Sequence, residues 1–216
     1  MLLRRAPATS ALALITSLAF FAAIWFGGPH LLIEGAFLPA RFATVIPYDF
    51  AVPAVLTPLS ATLLHGDWIH LAVNLVMLVF CGAQLERLIG PGKLLLLYGV
   101  GAYAAAIAQY LAEPGSSTPM IGASGAISAL LGCYALWFGK QTAGAIGPLP
   151  AGFVQAVWLA AAWSALQWAI SMATASGPLS IATAAHVGGF IAGLALAYPL
   201  APGRGAGTSR SGSSSL

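Results

Sequence analysis

Residues 120–133 read MIGASGAISALLGC, and a serine, Ser124, stands there between Gly122 and Gly125 at the start of an apolar run. A serine at such a place is usually a small packing residue that bonds its own backbone. What surrounds it decides between that reading and a nucleophile. The chain has 216 residues, 59% of them hydrophobic and only 6% charged. A water-soluble domain of this length carries roughly a quarter charged residues, so so few charges fit a chain whose solvent is lipid. The formal charge of +3 gives no reason to expect nucleic acid as a partner. Cys81 and Cys133 both lie in apolar runs and read as small buried hydrophobes rather than as a disulfide or a metal site.

A bilayer core takes about 20 mostly apolar residues per helix. Working outward from Ser124, the apolar runs predict six spans, at about 10–27, 68–88, 93–112, 123–139, 150–172 and 181–200. The fold class expected is therefore all-α, a polytopic membrane protein with six transmembrane helices. Residues 1–9 form a cytoplasmic N-terminus, 10–200 the six-helix domain, and 201–216 a Gly/Ser-rich flexible tail. The first run follows Arg4 and Arg5, but no small-x-small cleavage site comes after it, so it reads as a retained helix. Residues 28–67 hold five prolines and are too long for a simple turn, which predicts a structured outer loop. With both termini cytoplasmic, Arg4, Arg5, Arg87, Lys93, Lys140, Arg204 and Arg210 fall inside and only Arg41 outside. That is the positive-inside pattern.

Placed on these spans, the unusual polar residues share a depth. His70 and Asn74 lie early in the second span, Ser124 opens the fourth, and His186 lies about one turn into the sixth. All three spans run inward. An unpartnered polar group in hydrocarbon costs several kcal/mol, so four at one level predict a shared wet cavity on the outer side. His70 and Asn74 are four apart and face one way. Gly125, Ser128, Ala129 and Gly132 follow Ser124 at helical steps, as Gly189 and Gly193 follow His186. Such small-residue stripes let two helices approach closely, which would bring Ser124 to His186. A serine there can lose its proton to the imidazole as it attacks a carbonyl. The Ser124 N–H, His70 and Asn74 are the oxyanion donors expected, and Gly122 and Gly125 are expected at helix contacts, where they would also let a substrate backbone approach. With no carboxylate at that depth to orient His186, the expected arrangement is a Ser–His dyad.

HGDWIHLAVNLVML from His65, GASGAISALLGCYAL from Gly122 and AHVGGFIAGLALA from Ala185, with QLERLIGPGKLLLLY from Gln84, resemble the rhomboid family of intramembrane serine proteases. They occur in the family's order and cover most of residues 57–200. The resemblance implies Ser124 as nucleophile, His186 as general base, and His70 with Asn74 as the oxyanion pair. It implies helix-contact roles for Gly189 and Gly193, and structural roles for His65, Glu86 and Arg87. It implies no metal or cofactor and substrates that are transmembrane proteins; the compact length without chloroplast or mitochondrial features makes a bacterial inner membrane the expected setting. Two features depart from the family's pattern. The first loop, AVLTPLSATLLH, lacks a frequent Trp-Arg pair, and Ser128 stands where some members place an aromatic ring against the histidine. His186 is then expected to be held less rigidly, or by another ring such as Tyr134 or Trp163. The rival from another class is an inactive, rhomboid-like binder of membrane segments. A transporter is disfavoured because the halves show no internal repeat.

Overall fold

A computed structural model describes residues 5–43, 52–174 and 182–202. Apolar side chains without β-branched runs make long helices throughout, with Pro199 in the last turn of α7 the one proline inside a long helix among the described residues. We name α1 (Pro7–Ala22, continued by a π turn over Ala23–Gly27), α2 (Gly28–Gly35), α3 (Trp68–Ile89, with a π turn at Leu78–Gly82), α4 (Pro91–Ala112), α5 (Ser124–Phe138), α6 (Ala151–Thr174) and α7 (Thr183–Leu200). Among the described residues there are no strands, only isolated bridges.

Five of these helices, α1 with its π turn, α3, α4, α6 and α7, are long and apolar enough to cross a membrane. The fourth expected span, 123–139, is instead a 15-residue helix, α5. At 1.5 Å per residue it reaches about 22 Å, short of a hydrocarbon core of about 30 Å. The reason lies in its surroundings. Gly125–Leu130, Gly132 and Cys133 are all buried, with α3, α4, α6 and α7 against them. A helix so enclosed by protein has no need to match the lipid. The expected tail (201–216) lies, from residue 203, outside the described residues, as do 1–4 of the expected N-terminus and 44–51 of the expected outer loop.

Glycine sets the closest approaches. An added Cβ at Gly189 would overlap the Gly125 carbonyl, one at Gly193 the Ala129 carbonyl, and one at Gly132 the Phe190 carbonyl. α5 and α7 thus meet backbone to backbone. Between α3 and α4, Gly90 takes a φ of +81° that other residues avoid, and Pro91 opens the next helix where its missing N–H costs nothing. Lys93 Nζ donates to the Leu200 carbonyl at 3.2 Å, closing the end of α7.

The start of α1 has no local cap. Its N–H groups at Ala8 and Thr9 donate to the two oxygens of Glu86, each at 2.8 Å, and Thr9 Oγ1 adds a third bond at 2.7 Å. Glu86, 2% exposed, comes from α3. A carboxylate is well placed there, since the orphan N–H groups and the helix dipole both favour negative charge.

The first loop is anchored without a Trp-Arg pair. Phe37 and Met120 exchange backbone bonds of 3.1 and 2.9 Å, Ser60 Oγ donates to Gly35, and Tyr103 Oη donates to Val55. Most consequential, the Gly122 N–H donates to the Ala61 carbonyl at 2.8 Å. That bond fixes the segment that leads into Ser124.

Candidate active site

The starts of α3, α5 and α7 and the end of α4 lie at one end of the bundle, around a cavity of about 1140 Å³. His70, Asn74, Gly122, Ser124, Gly125 and His186 all line it. Ser124 is the first residue of α5 and His186 sits in the first turn of α7. Their side chains meet, with Ser124 Oγ 2.8 Å from His186 Nε2. The close α5–α7 packing at Gly125 and Gly189 makes this possible, because bulkier residues would hold the two helix starts apart.

The other ring nitrogen is also engaged. His186 Nδ1 lies 2.9 Å from Oε1 of Gln167 on α6. One turn earlier on the same face, the Trp163 indole N–H donates to the His186 carbonyl at 3.2 Å, while its ring stacks on Phe190 at 4.9 Å. Of the two rings expected to hold His186, Trp163 therefore binds its backbone, and Tyr134 stacks on Phe138 instead. The imidazole itself is held by an amide. Sequence reasoning passed over Gln167, although a visible signal existed: in WSALQWAIS, 163–171, it is a lone amide within an apolar run.

His70 and Asn74 stand one turn apart on α3. Asp67 caps this helix by accepting from the His70 N–H at 2.8 Å, and Asn74 Nδ2 donates to the His70 carbonyl at 2.8 Å. A primary amide carries two donor hydrogens, so this bond leaves one for the cavity. Gly122 has a φ of +109°, and an added Cβ would come within 2.6 Å of His70 Nε2. The space beside Gly122 is thus taken by the His70 ring, and that beside Gly125 by Ala105. Both glycines also line the cavity. Ser128 Oγ donates back to the Ser124 carbonyl at 2.8 Å, a bond internal to the helix.

His65 lies outside the spans with its ring edge against His70, at 4.9 Å between centroids. Burial, and then the neighbouring His70, push its pKa down from 6.5 to about 4, while the Leu63 carbonyl and Asp67 pull partly back. It is a neutral, buried side chain at ordinary pH. Cys81 and Cys133 are free and buried. Among the described residues no three His, Cys, Asp or Glu side chains are grouped to hold a metal ion.

Comparison with known proteins agrees with this architecture. The rhomboid domain family matches residues 54–203. The chain is 33% identical over 139 residues to the rhomboid protease GlpG of Pectobacterium atrosepticum, covering 64% of this chain and 46% of that protein. It is 32% identical over 142 residues to rhomboid protease GlpG of Serratia proteamaculans, and 33% over 142 residues to that of Yersinia enterocolitica, with the same shares covered. The aligned part thus spans just under half the length of these relatives.

Proposed function

Because this chain belongs to the rhomboid family and is an integral membrane protein, we propose that it is an intramembrane serine endopeptidase that cuts transmembrane segments of membrane proteins. The observation that carries the reading is the 2.8 Å approach of Ser124 Oγ to His186 Nε2 inside the cavity. In the mechanism proposed, Nε2 takes the Oγ proton as Ser124 attacks the scissile carbonyl, then returns it to the leaving amine. The oxyanion faces the first turn of α5, whose N–H groups no helix carbonyl can take. The Ser124 N–H, the free Asn74 amide hydrogen and His70 complete the donor set. Water then enters and, deprotonated by His186, releases the acyl group.

In this reading α5 counts as a sixth, shortened membrane helix buried among α3, α4, α6 and α7. The bundle sits in a bacterial inner membrane with both termini cytoplasmic, supported by the distribution of Arg and Lys and by the bacterial relatives. Substrate arrives from the lipid and water from the outer face.

The test is labelling of the detergent-purified protein by a fluorophosphonate. Wild type is expected to label and Ser124→Ala and His186→Ala to stay unlabelled while remaining folded. Asn74→Ala is expected to label more slowly, by an amount on the order of 3 kcal/mol in the barrier. A folded wild type that never labels would leave a binder of membrane segments as the better description.

A further inference from the structure

We propose that Gln167 is a positioning residue for this reaction, its amide oxygen holding the His186 imidazole in the tautomer that can take a proton from Ser124. The proposal rests on the protease reading above.

A neutral imidazole carries one N–H. For Nε2 to accept the Ser124 proton, its lone pair must be free and the ring hydrogen must sit on Nδ1. An acceptor within reach of Nδ1 favours that tautomer. Gln167 Oε1 is there, at 2.9 Å, while Nε2 lies 2.8 Å from Ser124 Oγ. The same bond sets the plane of the ring, and it strengthens once Nδ1–H belongs to an imidazolium, because charge-assisted hydrogen bonds are the stronger ones. A carboxylate fills this post in the triads of soluble hydrolases. A neutral amide does so without placing a full charge at membrane depth.

The burial of α6 points the same way. Of its residues with described side chains only Val154, Gln155 and Gln167 are buried, whereas Trp158 and Trp168 are 66% and 65% exposed. A polar side chain on the inner face of such a helix is costly unless it is used. Gln155 spends its Oε1 on the N–H groups of Thr142 and Ala143, at 3.3 and 3.1 Å. Gln167 spends its own on the histidine. Trp163, one turn away, ties α6 to the His186 carbonyl, so ring and backbone of this residue are gripped from one helix face.

The test is a pair of variants of the full chain, Gln167→Met, which keeps length and apolar volume but removes the acceptor, and Gln167→Glu, which keeps it. Fluorophosphonate labelling is measured against probe concentration, separating reversible binding (KI) from acylation (kinact), with thermal melting as the control for folding. Gln167→Met is expected to lose ~10-fold or more in kinact at unchanged KI. Gln167→Glu is expected to stay within roughly threefold of wild type, the positioning being retained. Wild-type kinact in Gln167→Met, or an equal loss in both variants, would overturn the proposal. Should Gln167→Met fail to melt cooperatively, Gln167→Glu decides alone, since a tenfold loss in that folded variant is incompatible with an acceptor role. Failure of wild type to label would overturn the protease reading itself, an outcome distinct from all of these.

Discussion

At Gly122 two constraints coincide. Its φ of +109° is a conformation that a side chain makes costly, and its missing Cβ is the space in which the His70 ring lies. Gly122→Ala is therefore expected to push His70 out of the cavity wall and tilt the start of α5. Fluorophosphonate labelling should fall roughly 10–100-fold, the scale of a 1 Å misplacement, and wild-type labelling would contradict the tight fit. Ser124, His186, His70 and Asn74 were legible as a set because each is a polar residue in an apolar run, and polar groups in lipid need a reason. Gln167 met the same criterion. What hid it was the expectation that only a carboxylate would orient His186, whereas an amide five residues from the end of the expected 150–172 span meets the same need.

At the scale of the element, α5 and α7 depend on carbonyl-to-glycine contact. Gly193→Leu would force a branched side chain against the Ala129 carbonyl, where backbone cannot yield. The expected cost is about 3 kcal/mol or more, read as a lowered melting temperature in detergent, and an unchanged melt would contradict the contact. The helices were legible to within a few residues because hydrocarbon demands unbroken apolar stretches. The exceptions have physical causes. α1 begins at Pro7 rather than near residue 10 because Glu86 satisfies its first N–H groups, a partner far away in sequence. α5 is shorter than the bilayer because it is sheathed by protein, and an apolar run looks the same whether lipid or helices surround it.

For the whole molecule, stability should depend on pH through His65. Its folded pKa of about 4 lies below the unfolded value near 6.5, so the unfolded chain binds the extra proton between them. Stability is then complete above about 6.5 and is lost as pH falls towards 4. Melting temperatures recorded across that window should decline in wild type and decline less in His65→Gln; parallel slopes would show that other groups govern the acid limb. The arrangement of the bundle itself was only partly legible. Small-residue stripes announced that α5 and α7 meet, but the anchoring of the first loop runs through backbone bonds such as Gly122 to Ala61, which any side chains could make.

The carboxylate of Glu86 has a bearing on biogenesis. It follows Ala8 by 78 residues, and at a synthesis rate of ~5–20 residues per second it leaves the ribosome roughly 4–16 s after the start of the helix it caps. Through that interval the first N–H groups of the helix are left to water. A nascent chain that stops short of Glu86 would lack this partner for good, leaving the start of its first helix uncapped.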